Sequence, residues 1–426
     1  MSQTTGGSRG LETRDPIYGY NRLTPLEESI LNQKIVQRLR QIRTPAGAFQ
    51  VYPGADSSLL ARMLGTMHIT ELLFRSLGAN EDEVQRARLT VMISSVGRGA
   101  WSNVMREYLS GIGLDNRRMA EVALAQPEIR EVLEHSTYST SEIRESIRRG
   151  APIRDMRVDL FTCPLNPDLI DMFQRDAYFA GVQYAQLEFR RLFGSTRIIK
   201  NRMAVERGVL FTLESYLSAA TNMFDAIYYH KTVRAAELML LRVLEEAGSL
   251  LLRSPADDPS TYFSTDDITL YGSLSRLPPD PPERLVNASN VFRDFHRRRL
   301  IKVASDRTIG NDEFLKKLET PDGRFELERE IAEEARLDPN LVYIDFPTRE
   351  SVAFWPGRLA IDELMLFERG SRGYELWPVT DLSNVARSFM RRAMVIRIYA
   401  PEAHRAKIRK RADSILESVD SIGEVA

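Results

Sequence analysis

Apolar residues recur with a helical period from Asp15 to about Leu252. Leu60, Met63, Leu64 and Met67 fall at i, i+3, i+4 and i+7 and predict one amphipathic helix. Val84, Ala87 and Val91 mark a second, ending near Gly97. Ile170, Phe173 and Ala177 mark a third, entered through Asn166-Pro167 as an N-cap with Pro at the first helical position. Leu210, Leu213, Leu217, Ala220 and Phe224 mark a long fourth. Residues 254–288 change character. Ser254-Pro255 and the Pro278–Pro282 run bracket a stretch rich in Asp, Ser and Thr, where Ser264–Asp267 would cap a short helix. Beyond it the pattern alternates: Leu341–Phe346, Glu363–Phe367, Tyr374–Val379 and Met394–Tyr399 read as strands, with Arg369–Gly373 as a hairpin turn. Asp381–Arg392 and Pro401–Val419 read as helices. The expected organisation is a flexible tail over 1–14 and a helical domain over 15–253. A linker or surface excursion over 254–288 follows, then a helical extension with a small α+β subdomain over 289–426. The fold class is mainly α.

Composition narrows the function classes. The chain has 426 residues, 43% hydrophobic and 27% charged, which is globular and too long for one ordinary core. The formal net charge of -1 predicts no general attraction to nucleic acid or anionic membrane. Of 58 basic residues 8 are Lys and 50 are Arg, a supply of forked donors for carboxylates and phosphates. A single cysteine, Cys163, excludes an internal disulfide framework and reads as a small packed hydrophobe. Met1–Arg14 is polar and unlike a signal peptide, and no apolar stretch approaches the roughly 20 residues that span a bilayer. A cytoplasmic protein is expected.

Local motifs add little. The five histidines, His68, His135, His230, His296 and His404, form no HxxxH, HExxH or His-Asp arrangement. There is no GxxxxGK[ST] loop and no GxSxG elbow.

Longer blocks carry more. Asp15–Tyr20, Leu23–Glu27, Gln37–Ile42, Val51–Ala55 and Leu64–His68 resemble the opening of HD-superfamily deoxynucleoside triphosphate triphosphohydrolases. Arg175–Val182, Tyr228–Glu237 and Arg297–Lys302 continue the resemblance in the same order, so it covers about residues 15–305, with the C-terminal unit similar more loosely. The resemblance implies an HD-domain helical body. It also implies a reaction in which a His, a consecutive His-Asp pair and a later Asp hold a divalent metal that activates water.

Carried across, those four positions are Arg62, Ser94, Ser95 and Asp168, so one ligand type of four remains. Positions often occupied by further histidines are Arg98 and Asn103. Substrate-side positions are altered too: Leu59, Met172 and Ala220 stand where the family has Arg, Tyr and Arg. Asp176, Tyr228 and Lys231 remain as expected at positions that contact or border substrate.

These replacements predict a protein without a catalytic site or resident metal, kept for nucleotide binding, assembly or regulation. A lone Asp168 suits the positive end of a helix as well as a ligand role. Arg62 is expected to pair with Asp168 in place of the metal. Alternatives are phosphate binding by Arg62 and Arg98 together, or an Arg62 facing solvent. Ser94 and Ser95 have no paired base and read as filler at a helix end. His68 and His230 read as structural, and Arg297–Arg299 as a solvated face, with nucleotide binding as the lesser reading. Phosphate or nucleotide binding would fall to Arg62, Arg98, Asp176, Tyr228 and Lys231. The expected partners are further copies of the chain or an active HD homologue, with no membrane; the near-zero net charge argues against nucleic acid, which a one-sided arginine face would revive. The competing reading is an active, metal-dependent triphosphohydrolase, which needs donors such as His135 or Asp171 to converge on Asp168.

Overall fold

The computed structural model describes residues 11–423 apart from 152, 154–158, 254, 310–311, 347–358, 372 and 391–394. It is mainly helical, with three small sheets among the described residues. The four helical stripes each become a helix. Leu59–Ser76 is capped by Ser58, whose hydroxyl accepts from Ala61 N–H. Glu81–Val96 starts with an Asn80/Glu83 capping box and ends at Gly97. Pro167–Ala180 starts at the Asn166 cap with Pro167 in its first turn. Leu210–Met223 runs into one π turn, Phe224–Tyr228, before Lys231–Leu251.

The strands are β1 Glu12–Asp15, β2 Gly19–Arg22, β3 Thr196–Ile199, β4 Arg202–Glu206, β5 Lys302–Thr308, β6 Tyr343–Asp345, β7 Met365–Gly370, β8 Gly373–Pro378 and β9 Val395–Ala400. The β7–β8 hairpin closes with Gly370 opposite Gly373, at the expected turn. β6 and β9 fall within or beside their expected runs, and β9 begins after residues that lie outside the description. The helix expected over Asp381–Arg392 is two short ones, Val379–Leu382 and Asn384–Met390.

Five strands arise where none was expected. β1 and β2 pair in a hairpin that starts inside the presumed tail. β3 and β4 turn through Lys200 and Asn201 at φ 51° and 60°. β5 pairs with β9.

The units share backbone. β4 pairs in parallel with β7, so the middle of the chain and its last quarter form one sheet, β3-β4-β7-β8. One apolar core runs from Leu23 to Tyr399. A second gathers Ala304, Leu327, Ile344, Ile398 and Leu416 around the sheet β5-β9-β6. The segment read as a linker or excursion carries helices Pro259–Ser264 and Asp267–Ser275 and buries Tyr262, Phe263 and Leu270 in the main core.

Candidate functional site

Helices Leu59–Ser76 and Pro167–Ala180 pack side by side. Gly65 permits the approach: a Cβ there would lie 2.0 Å from Asp171 Oδ1 and 2.3 Å from Arg175 Nη2. Those two groups form a buried i,i+4 ion pair that also takes in Asp15. One turn toward the N-terminus of each helix, Arg62 meets Asp168.

Arg62 Nε donates to Asp168 Oδ1 and Nη2 to Oδ2, both at 3.0 Å, a two-point fork on a carboxylate. Its remaining nitrogen, Nη1, donates to Thr44 Oγ1 at 3.1 Å. Arg98 Nη2 donates to Asp168 Oδ2 at 2.8 Å from the loop after helix Glu81–Val96. Thr66 Oγ1 reaches Oδ1 at 3.5 Å. Burial pushes the Asp168 carboxyl up, but Arg62 and Arg98 more than offset it and hold Asp168 well below the usual carboxylate range. Burial likewise works against the Arg62 charge, and Asp168, with Asp176 behind it, outweighs that.

Asp176 lies two turns further along the same helix. Tyr228 Oη donates to its Oδ2 at 2.9 Å from the π turn. Burial raises Asp176 to about 7, against the pull of Arg62 and the Tyr228 hydrogen bond. Arg62, Arg98, Asp168, Asp176 and Tyr228 therefore form one electrostatic unit. Lys231 stands apart. It opens helix Lys231–Leu251, is exposed, and its described hydrogen bond is a backbone one, its carbonyl accepting from Tyr399 Oη at 3.1 Å.

Ser95 Oγ donates back to Val91 O at 2.9 Å, and Ser94 Oγ is buried without a hydrogen-bond partner. Neither hydroxyl is hydrogen-bonded to a base. Asn103 accepts from Ala46 N–H and donates to Glu237. Leu59, Met172 and Ala220 are fully buried. His68 stacks on Tyr18 at 5.3 Å, and His230 caps its helix by accepting from Thr232 N–H. Cys163 is buried, which pushes its thiol pKa up.

The residues do not fit a metal of the kind the family resemblance implies. Both oxygens of Asp168 already accept from guanidinium groups. Among the described residues no three His, Cys, Asp or Glu side chains are grouped to hold an ion. His135 Nδ1 contacts Glu131 O within its own helix end, and Asp171 is committed to Arg175.

Several residues not singled out from the sequence complete the site. Thr44 supports Arg62 from a distant loop. Thr66, one turn after Arg62, could have been read from helical spacing. Arg38 donates to the backbone oxygens of Val96, Arg98 and Thr265, and Tyr262 Oη donates to Gly97 O at 2.9 Å, so the Arg98 loop is held from two sides. The space left between Arg62, Arg98, Asn103 and Tyr262 is about 20 Å³. That is room for about one water, far below the roughly 300 Å³ at which ligand pockets begin.

The helical body is that of an HD-superfamily phosphohydrolase scaffold. The chain belongs to the HD associated region family, whose profile matches residues 187–423, more than half of its length. It is 25% identical over 277 residues to an uncharacterized protein of Methanocaldococcus jannaschii, covering 61% of this chain and 54% of that protein. It is 18% identical over 317 residues to the deoxynucleoside triphosphate triphosphohydrolase SAMHD1 homolog of Dictyostelium discoideum, covering 70% and 60%. The chain thus spans little more than half the length of these relatives. A crystal structure of a hypothetical protein from Aquifex aeolicus superposes with a TM-score of 0.72 at 23% identity, over 94% of this chain and 99% of that one. A phosphohydrolase from Bacteroides thetaiotaomicron superposes at 0.70 and 18% identity, over 92% and 100%. Among the described residues no helix is long and apolar enough to cross a membrane.

Proposed function

We propose that this protein is a catalytically inactive HD-type protein, retained for assembly or regulation, in which two arginines replace the metal of a triphosphohydrolase site. The observation that carries the reading is the double engagement of Asp168: Arg62 and Arg98 occupy both carboxylate oxygens. A carboxylate flanked by two guanidinium charges repels a divalent ion, and Ser94 and Ser95 supply none of the imidazole or carboxylate donors that would complete a site. Without an activated water the family reaction loses its nucleophile.

Elemental analysis of the purified chain and a deoxynucleoside triphosphate hydrolysis assay test this. Expected are no stoichiometric transition metal and no triphosphate release. Bound metal together with release would overturn the reading in favour of an active enzyme with other ligands.

The same proposal includes a cytoplasmic location and assembly with further copies of the chain or with an active HD homologue. The assembly role is favoured over nucleotide binding by the roughly one-water space beside Arg62 and Arg98. Binding by Arg62, Arg98, Asp176, Tyr228 and Lys231 would require the Arg62–Asp168 pair to open first. Calorimetry with dNTPs and NTPs at low salt separates the two: no heat is expected, and saturable binding would restore the nucleotide role.

A further inference from the structure

A cavity of about 400 Å³ lies beside the guanidinium site and is not part of it. Arg43 lines the cavity, while its neighbour Thr44 accepts from Arg62. Trp101 also lines it, three residues after Arg98. The volume falls within the range of ligand sites.

Its walls are rings: Phe49, Trp101, Tyr271, Phe292, Phe295 and His296. They form a connected aromatic surface. Phe292 lies 5.7 Å from Trp101 and 4.5 Å from His296, and Tyr271 lies 4.7 Å from His296. Tyr271 is 48% exposed and Ile268 beside it 60% exposed, so an apolar rim faces outward.

Two arginines and two aspartates line the cavity, so its charges sum to zero, but they do not all pair with one another. Asp267 turns both oxygens to backbone, accepting from Trp101 N–H at 2.8 Å and Arg43 N–H at 3.0 Å. Asp56 is paired with Arg43, whose guanidinium also lies over Phe49. Arg40 lines the cavity, is exposed and donates one N–H to Gln37. Among the described residues it has no carboxylate partner. The wall also holds Trp101 at φ 54°, a left-handed backbone that a bulky side chain rarely adopts and that clusters at binding sites.

We infer that this cavity binds a planar aromatic molecule carrying one anionic group. The ring stacks among Tyr271, Phe292 and His296, and the anion pairs with Arg40. Offset and edge-to-face contacts suit a flat ring, and the forked Arg40 donors suit a carboxylate or a phosphate. A cationic ring would meet the exposed Arg40. The inference is independent of whether the guanidinium site is inactive.

Calorimetry on the full chain with four probes tests it: 2-naphthoate, dGMP, neutral 2-naphthalenemethanol and cationic 2-naphthylmethylammonium. One or both anions are expected to bind saturably. The dGMP and naphthoate arms separate a nucleotide from an aromatic carboxylate. Arg40→Gln should raise Kd about tenfold or more, the loss of a charge-assisted hydrogen bond. Tyr271→Ala should weaken binding as well. Both residues are exposed or half exposed, and unchanged circular dichroism and melting would show that the variants fold. The inference is overturned if neither anion saturates at millimolar concentration, or if the neutral or cationic probe binds as tightly. Anion binding that survives both substitutions overturns it too.

Discussion

Asp168 keeps its charge because two guanidiniums face it, and the Arg62 side chain is only 7% exposed. Breaking a buried pair by removing one partner leaves the other uncompensated. Arg62→Ala is therefore expected to lower the unfolding free energy by about 3 kcal/mol, the low end of the usual cost because Arg98 stays. Urea denaturation measures it. Replacing both partners together, R62M with D168L, should recover only part of the loss, because Arg98 then loses its carboxylate.

Asp168 and Asp176 titrate in opposite senses. Asp168 is depressed, so its contribution is present above the ordinary carboxylate range and is lost as pH falls through and below it. Asp176 is raised to about 7 by burial, so its contribution is present below the unfolded carboxylate pKa and is lost as pH rises toward 7. Asp176→Asn should flatten the fall in stability between roughly pH 4 and 7, read as the urea midpoint against pH. An unchanged slope would assign that fall to other buried acids such as Glu107, which burial also raises to about 7.

At the scale of elements, the contact between helices Leu59–Ser76 and Pro167–Ala180 depends on Gly65. Gly65→Ala would place a methyl against the Asp171–Arg175 pair, with backbone helices on both sides. The expected loss is about 3 kcal/mol or more, at the upper end of overpacking costs, seen as a lowered melting temperature. The helices themselves were legible from local pattern. Their apolar stripes, the Asn166-Pro167 start and the Gly97 end are properties of short segments. The β3–β4 hairpin was less legible, since each strand is only four or five residues long. Lys200-Asn201 between Ile198-Ile199 and Met203–Val205 was the one cue, Asn being tolerant of positive φ.

Across the whole molecule, two arginines of helix Lys231–Leu251 hold the second core to the first. Arg234 Nη2 donates to Asp345 at 2.9 Å, and Arg242 Nη2 donates to Glu328 at 2.7 Å and to Val342 O at 3.1 Å. Arg242→Met is expected to loosen the β5-β9-β6 unit first. Amide exchange in β6 and β9 should rise more than in helix Leu59–Ser76, the pattern of a sub-global opening. A uniform rise would mean that both cores unfold as one. If arginines have replaced the metal, removing metal costs nothing: EDTA should leave the melting temperature unchanged, whereas a structural ion would make it fall.

The amino-acid sequence by itself determined the helical body and the β7–β8 hairpin, which follow from periodicity, capping and turn chemistry, all local in the chain. That Arg62, Ser94 and Ser95 stand at ligand positions is what the family resemblance implies. The sequence left open whether Arg62 faced solvent, a phosphate or Asp168. Tertiary structure decided that, because the 106-residue separation between Arg62 and Asp168 closes only when Gly65 lets two helices touch. Tertiary structure alone also brought Arg98 to the same carboxylate and left Lys231 outside. It placed Tyr262 and Asp267, from a segment that reads as a linker, against the loop that carries Arg98. Charge pairs of this kind are set by the distance between elements far apart in the chain, and no local pattern encodes that distance.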